Sequence, residues 1–122
     1  MTPIIRVMNR YALEVLSQFS GRKIAVLGDI LELGDFSEDI HQRVGDLIIK
    51  NNIDILITVG NYAKYINERA LQLGLSNNNS YHFNSNIDAI NVLNKIKKER
   101  DNILIKASHN LNFIEIVNEL CQ

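Results

Sequence analysis

Short apolar segments alternate with longer amphipathic segments along this chain. The apolar segments most typical of buried strands are residues 23–27, 53–59 and 103–106, and residues 81–83 are a shorter candidate. A chain that returns to the same sheet after each helix builds parallel strands, and helices then cover both faces of the sheet. About four strands of this kind predict an α/β fold, a Rossmann-like three-layer sandwich with a mostly parallel sheet.

The amphipathic segments are predicted to form the helices of this fold. Apolar residues recur at three- and four-residue spacing over residues 4–19, 40–48, 61–73, 85–98 and 111–120. Asp35 or Ser37 is expected to cap the second helix. Ser85 is expected to cap the fourth, because Asp88 follows it at capping-box spacing. Gly21 is expected to end the first helix, since glycine accepts a left-handed backbone.

The composition is that of one small globular domain. The chain has 122 residues, of which 46% are hydrophobic, enough to bury a core in a single domain. Its 13 basic and 14 acidic side chains give a formal charge of −1, so charge favours neither nucleic acid nor an anionic membrane as a partner. Cys121 is the only cysteine, which excludes an internal disulfide and a cysteine-based zinc site. No signal peptide is expected from residues 1–6, and no apolar run approaches the roughly 20 residues of a membrane span, so a cytoplasmic location is expected.

Ligands of open parallel α/β sheets bind beyond the carboxyl ends of the strands. Three loops leave those ends, at residues 28–34, 60–61 and 107–110, and each leads into a helix whose N-terminal N–H groups suit a carboxylate or a phosphate. In the first loop, two glycines bracket Asp29 and Glu32. These acids either bind an ammonium group or a metal, or cap local backbone N–H groups, and the pattern alone leaves both interpretations open.

Three further residues at this edge are candidates for substrate contact. His41 lies in the first turn of the helix after the first loop, where it either contacts substrate or caps the loop. Ser108 has no base near it in the sequence, so it is interpreted as a helix cap or a hydrogen-bond donor to an anion rather than a nucleophile. His109, in the third loop, faces either an anion or solvent. No catalytic residue and no metal ligand set is predicted.

Nucleotide-binding motifs are missing from the chain. There is no G-x-x-x-x-G-K-[ST] segment, hence no P-loop, and no G-x-G-x-x-G segment after the first predicted strand. These absences argue against a self-contained NTPase and against a dinucleotide-binding dehydrogenase.

Five segments of the chain resemble the Mur ligase family. Residues 21–34 are similar to its G-x-K-I-A-V-L-G-D-M-x-E-L-G segment, and residues 37–45 to its S-E-x-x-H-x-x-V-G segment. Residues 53–60 resemble I-D-x-L-x-T-V-G, residues 82–83 an H-F pair, and residues 103–109 V-L-V-K-G-S-R. The segments follow the family's order and spacing across essentially the whole chain. They are similar to its C-terminal domain, above all in members that add D-alanyl-D-alanine to UDP-N-acetylmuramoyl-tripeptide.

The resemblance implies a substrate-binding role in an ATP-dependent amide ligase of peptidoglycan synthesis. In that family a central domain binds ATP and magnesium and forms an acyl phosphate, an N-terminal domain holds the UDP-sugar, and the C-terminal domain brings the incoming amine. Residues 1–122 would be that C-terminal domain without the other two, so the chain alone is expected to be inactive and to hold no cofactor. The implied partners are D-alanyl-D-alanine or a similar dipeptide and an ATP-binding ligase domain in cis or in trans. The residues that would face the dipeptide and the acyl phosphate are Asp29, Glu32, His41, Ser108 and His109.

The chain departs from the family pattern at several positions. Residues 1–6 do not match the D-x-Y-N-A-N-P segment that touches the nucleotide in the family. Ala107 and His109 stand where the family has glycine and arginine, and Ile114 where it usually has glutamate. Replacing arginine by histidine removes a permanent bidentate cation. These departures keep a second hypothesis open, a non-catalytic small-molecule or protein-binding module on the same fold, and a flavodoxin- or receiver-like domain is a weaker third.

Overall fold

The computed structural model describes residues 4–7, 12–30 and 33–106, and along these segments strands alternate with helices. The strands are β1 (Ile4–Val7), β2 (Lys23–Gly28), β3 (Ile55–Val59), β4 (Ser80–Phe83) and β5 (Asn102–Lys106). The α-helices are α1 (Ala12–Leu16), α2 (Ser37–Lys50), α3 (Lys64–Gln72) and α4 (Asn86–Ile96), with 3₁₀ turns at Gly34–Phe36 and Asn77–Asn79. No helix among these described residues is long and apolar enough to span a bilayer.

The strands form one parallel sheet in the order β1-β5-β2-β3-β4. β2 lies at the centre, with Gly28 opposite Val59 of β3 and Leu27 opposite Lys106 of β5. The carboxyl ends of β2, β3 and β5 therefore lie side by side. This arrangement brings together the starts of the loops that the alternation predicted to form a site.

Helices cover both faces of this sheet. Successive residues of a strand point to opposite faces, so a strand buried on both sides must be apolar at nearly every position. The face under α1, α2 and α3 is built from the strand residues Ala25, Leu27, Leu56 and Leu104. The face under α4 is built from Ile24, Val26, Ile55, Ile57, Val59, Ile103 and Ile105. The predicted three-layer α/β fold is confirmed.

The first segment of the chain differs from its prediction. Apolar spacing predicts a helix over residues 4–19, whereas residues 4–7 form β1 and α1 begins only at Ala12. Three of the four residues of β1 are β-branched, which favours a strand once a neighbouring edge is available. That edge is β5, which pairs with β1 in parallel from the far end of the sequence. Over the described residues the sheet therefore has five strands rather than about four.

Helix starts follow the prediction at one position and not at another. α2 begins at Ser37, and its N-cap is Phe36, which makes no side-chain cap hydrogen bond. The expected cap at Asp35 or Ser37 is wrong, because the preceding 3₁₀ turn leads the backbone directly into the helix. The cap at Ser85 is confirmed, since its Oγ accepts a backbone N–H of the first turn of α4 at 3.4 Å. The helix predicted over residues 111–120 lies outside the described residues.

Glycine at position 45 lets α2 and α3 pack closely. A Cβ at Gly45 would lie 2.6 Å from Cβ of Arg69 and 2.8 Å from the backbone oxygen of Ile66. Such separations would force the helices apart, so this glycine is required by the approach of α3. Next to it, Arg69 Nε donates to Asp46 Oδ1 at 2.6 Å, which adds a polar contact across the same pair of helices.

Candidate functional site

The candidate site is the carboxyl edge of the sheet, where the loops after β2 and β3 meet. The described part of the first loop comprises residues 28–30 and 33–34, and the second loop is described throughout. Asp29 and His41 both lie at this edge. The other predicted site residues, Glu32, Ser108 and His109, lie outside the described residues, so their contacts remain predictions.

Asp29 holds the loop that leads into α3. Its carboxylate is buried, and Oδ2 accepts the N–H of Asn61 at 2.8 Å. Oδ1 accepts the N–H groups of Tyr62 at 2.9 Å and of Ala63 at 2.7 Å. The N–H donors that a parallel sheet presents after β3 are therefore used by a side chain of the neighbouring loop. A ligand carboxylate or phosphate could bind these three groups only by displacing Asp29.

Gly60 is shaped to accept that carboxylate. Its φ is +131°, in the left-handed region that favours glycine, and a Cβ there would lie 2.4–2.7 Å from the atoms of the Asp29 carboxylate group. The glycine can therefore adopt the required backbone angle, and it leaves the space that the carboxylate needs. Positions 29 and 60 form one structural unit although they belong to different loops.

His41, in the first turns of α2, holds the first loop in place. The side chain is fully buried, and its Nε2 accepts the N–H of Ile30 at 3.0 Å. Because a backbone N–H can only donate, Nδ1 must carry the ring proton, which it donates to the Ser37 carbonyl at 2.5 Å. The ring also lies 6.0 Å from the ring of Tyr62, centroid to centroid. Both ring nitrogens are occupied by backbone groups of the chain itself.

These contacts bear on the two interpretations of the acid and the histidine. For Asp29 and His41, the described contacts are those of residues that hold backbone in place. The held backbone of Asp29 belongs to a loop about thirty residues further on, not to the local loop that the sequence suggested. Contact between either side chain and a substrate stays a prediction.

A polar network that the sequence did not single out lies beside this edge. Thr58 Oγ1 donates to Asn67 Oδ1 and lies 2.8 Å from His82 Nδ1. Asn67 Nδ2 donates to Ser80 Oγ and to the Tyr81 carbonyl, both at 2.9 Å. The network joins β3, β4 and α3 through buried groups that satisfy one another. Its one sequence signal is the polar Thr58 inside an otherwise apolar strand.

Burial lowers the pKa of His82 from its ordinary value of 6.5. The negative charge of Asp29 opposes this change, and the positive charge of Lys64 adds to it. His82 therefore favours the neutral form, which suits a ring whose Nδ1–H faces the hydroxyl of Thr58. The group contributes a hydrogen bond to the network rather than a charge to the edge.

No group of three or more His, Cys, Asp or Glu side chains within the described residues could hold a metal ion. Among the described charged groups at the carboxyl edge are the buried Asp29 and, at the end of β5, the half-buried Lys106. Lys106 belongs to the strand predicted at residues 103–106 and is not among the predicted site residues. Its position directly before the loop at residues 107–110 is the sequence signal that points to it.

Comparison with known proteins identifies relatives across most of the chain. A family model described as Mur ligase, glutamate ligase domain, matches residues 9–109. The chain is 34% identical over 102 residues to the UDP-N-acetylmuramoyl-tripeptide–D-alanyl-D-alanine ligase of Bacillus subtilis, covering 84% of this chain and 22% of that protein. A ligase of the same name from Buchnera aphidicola is 30% identical over 111 residues, covering 89% and 23% respectively. The chain thus spans less than a quarter of the length of these relatives.

Solved structures share the architecture. MurF from Acinetobacter baumannii superimposes with a TM-score of 0.75 at 28% identity, covering 95% of this chain and 26% of that one. MurF ligase from Thermotoga maritima, solved in complex with ADP, gives a TM-score of 0.71 at 23% identity, covering 89% and 24%. At the latter identity the likeness concerns the fold alone. Both superpositions agree with a Rossmann-like parallel sheet.

Proposed function

Because this chain belongs to the Mur ligase family, as its glutamate ligase domain, we propose that it binds the incoming amine of an ATP-dependent amide ligase. The observation that carries the proposal is the family match over residues 9–109. The relatives are named as ligases of this kind, and the chain covers less than a quarter of their length. In this proposal the domain positions a substrate and does not catalyse alone. Its activity depends on domains of the ligase that this sequence does not include.

The proposed amine is D-alanyl-D-alanine, and the proposed acceptor is UDP-N-acetylmuramoyl-tripeptide. Both are named in the relatives from Bacillus subtilis and Buchnera aphidicola. During ligation a C–N bond forms at the activated acyl carbon, the bond to phosphate breaks, and the amine loses a proton. The part of this chain would be to hold the amine nitrogen at the correct distance and angle.

The proposed substrate face is the carboxyl edge of the sheet. Glu32 would face the ammonium group of the dipeptide, and Ser108 with His109 would face its carboxylate or the acyl phosphate. Asp29 and His41 would shape the face through the backbone that they hold, at residues 61–63 and at Ile30. The division follows from the contacts that occupy Asp29 and His41.

ATP and magnesium would bind to the rest of the ligase. Within the described residues, no acidic or histidine cluster suits a metal ion, and the sequence lacks a P-loop. The ATP-binding domain would be provided by the same chain or by a partner chain. A cytoplasmic location belongs to this proposal, because ATP is supplied there.

A hybrid ligase tests the proposal. The chain replaces the matching segment of the Bacillus subtilis relative, and phosphate release that requires D-alanyl-D-alanine is measured together with the mass of the product. We expect ligation by the hybrid and none by the Bacillus core alone or by this chain alone. A folded hybrid that ligates no dipeptide would contradict the proposal. That result would favour the second candidate, a non-catalytic binding module. The departures from the family pattern at Ala107 and His109 also support this candidate.

Glu32 provides the sharpest variant in the hybrid. Glu32→Ala removes the charge proposed to face the ammonium group, so the KM for the dipeptide should rise about ten- to hundredfold. The KM for ATP should stay unchanged. Asp35→Ala, which removes an exposed acid from the 3₁₀ turn that follows this loop, is the matched control and should leave both constants unchanged. Equal constants in Glu32→Ala and the control would remove Glu32 from the site.

A further inference from the structure

A small apolar pocket lies at the carboxyl edge, between the sheet and helices α1 and α2. Its volume is about 90 Å³. The residues that line it include Leu13, Leu27, Gly28, Ile30, Val44 and Lys106. The pocket lies next to the first loop and is bounded by apolar side chains and one cation. Its size admits an aliphatic group of up to a few carbon atoms.

Lys106 is the polar residue of this pocket. It ends β5, is half-buried, and lies opposite Leu27 in the sheet register. Within the part of the chain that the structure describes, its ammonium group makes no hydrogen bond and no ion pair. Partial burial of an unpaired cation is unfavourable, so an anion that binds from outside would stabilise the ammonium group of Lys106. A carboxylate meets that need with a charge-assisted hydrogen bond.

We infer that Lys106 and this pocket bind the carboxyl-terminal residue of the incoming dipeptide. The carboxylate would pair with Lys106, and the methyl group of the terminal D-alanine would enter the apolar pocket. The inference rests on the proposed function, which makes this edge the amine-binding face, and it adds a specificity determinant that the predicted residues did not include. The ligand class is a short peptide or amino acid with a free carboxylate and a small aliphatic side chain.

The two features select for different parts of the ligand. Losing a charge-assisted hydrogen bond weakens binding about ten- to hundredfold. Burying one methyl group strengthens it about fourfold. A pocket of about 90 Å³ has room for a methyl group and for an aliphatic side chain of a few carbon atoms. A phosphate ligand would pair with Lys106 but leave the apolar pocket empty, so it would gain only from the charge.

Nuclear magnetic resonance of the whole chain tests the inference. Three probes are titrated into the ¹⁵N-labelled chain: D-alanyl-D-alanine, its carboxyl-terminal amide, and D-alanylglycine, which lacks only the terminal methyl group. We expect the dipeptide to shift the amide signals of Gly28, Ile30 and Val44. The amide should bind about ten- to hundredfold more weakly and D-alanylglycine about fourfold more weakly. Absence of shifts at these three residues would overturn the inference.

Lys106→Met removes the charge and keeps the length of the side chain. In this variant D-alanyl-D-alanine should bind as weakly as its amide does. Lys95→Met, on an exposed position of α4 on the other face of the sheet, is the matched control and should behave like the wild type. Equal affinities in Lys106→Met and the wild type would exclude the proposed carboxylate contact.

Val44→Phe tests the apolar half of the site. The larger side chain takes up most of the pocket, so the preference for D-alanyl-D-alanine over D-alanylglycine should disappear while the preference for the free carboxylate remains. Thermal unfolding of each variant checks that the fold is intact. A preserved preference for D-alanyl-D-alanine in a folded Val44→Phe chain would overturn the assignment of the pocket.

The hybrid ligase separates this inference from the proposed function. If the hybrid ligates the dipeptide and Lys106→Met leaves its KM for the dipeptide unchanged, the inference is rejected and the proposed function stands. If the lone chain binds the dipeptide through Lys106 but the hybrid does not ligate, the binding site stands and the proposed function is rejected.

Discussion

Asp29 does at the start of α3 what a bound anion does at many helix N-termini. Three backbone N–H groups point at one carboxylate, and each contact is a charge-assisted hydrogen bond. The carboxylate is buried, so the bonds compensate for the water that it has lost. The residue therefore stabilises two loops together.

Asp29→Asn should destabilise the chain. The amide keeps one acceptor oxygen and presents an NH₂ group to a backbone N–H, so at least one buried donor is left without a partner. We expect a loss of about 1–3 kcal/mol in the free energy of unfolding, measured by urea denaturation. The exposed neighbour Asp35→Asn should change it by less than about 0.5 kcal/mol. Equal effects of the two substitutions would show that the three hydrogen bonds contribute nothing.

Gly60→Ala should destabilise the chain through two separate causes. A φ of +131° strains any L-residue, and the new Cβ would collide with the Asp29 carboxylate. The first cause alone costs about 1–3 kcal/mol. In a double-mutant cycle with Asp29→Ala, the collision disappears, so the double variant should be more stable than the sum of the single effects predicts. Strict additivity in urea denaturation would mean that the two residues do not meet.

At the scale of elements, the amino ends of the strands have a clamp of their own. Arg22, just before β2, donates from Nε to Asp101 Oδ1 at 3.0 Å and from Nη2 to Oδ2 at 2.6 Å. The same carboxylate accepts the N–H of Lys98 at 2.7 Å, and Arg22 Nη2 also donates to the Ile96 carbonyl at 2.6 Å. The clamp fixes the turn after α4 against the start of β2 and sets the register of β5.

Burial favours the neutral form of Asp101, but hydrogen bonds from Arg22 and Lys98 outweigh it and hold the pKa of Asp101 below its ordinary value of 3.8. The unfolded chain therefore takes up this proton first as the pH falls. The contribution of the clamp to stability is complete above about pH 4 and is lost as the pH falls through the lowered pKa.

Asp101→Asn should lower the free energy of unfolding by about 1.5–3 kcal/mol near pH 7. It should also flatten the decline of stability below about pH 4, because the group that titrates differently in the two states is gone. Urea denaturation across this pH range measures both effects. Asp39→Asn, which breaks an exposed i,i+4 pair with Arg43, is the control and should keep the wild-type pH profile. An unchanged acid limb in Asp101→Asn would contradict the assignment.

How far the elements could be predicted depends on where their partners lie. β2, β3 and β5 are apolar runs buried on both faces, and their own residues suffice to identify them. β1 is predicted as part of a helix because its apolar residues belong to the helical spacing of residues 4–19, and only the pairing with β5 makes it a strand. The site shows the same pattern. Asp29 was identified from its loop, but its backbone partners about thirty residues away were beyond local inference.

At the scale of the whole molecule, one sheet serves two cores. Neighbouring residues of β3, Leu56 and Ile57, are both fully buried, and they point into the clusters on opposite faces. Both clusters lose the packing of their strand residues if the strands of the sheet separate. The two helix layers should therefore unfold together.

We expect a single cooperative transition for this chain. Leu56→Ala and Ile57→Ala should each lower the free energy of unfolding by about 2–5 kcal/mol and shift the whole transition, although they damage different cores. Far-ultraviolet circular dichroism and tyrosine fluorescence, followed in urea, should give coincident curves for both variants. Two separate steps in either variant would show that the layers are independent.

The close contact between α2 and α3 at Gly45 has a thermodynamic consequence for ligand binding. α2 carries His41, which holds Ile30, and α3 begins at the loop held by Asp29, so the two loops of the carboxyl edge are anchored to one pair of helices. The conformational entropy of the backbone at residues 28–30 and 60–63 is lost when the chain folds, not when a ligand arrives. A ligand on this edge would meet preorganised loops, and the entropic cost of binding would fall mainly on the ligand itself.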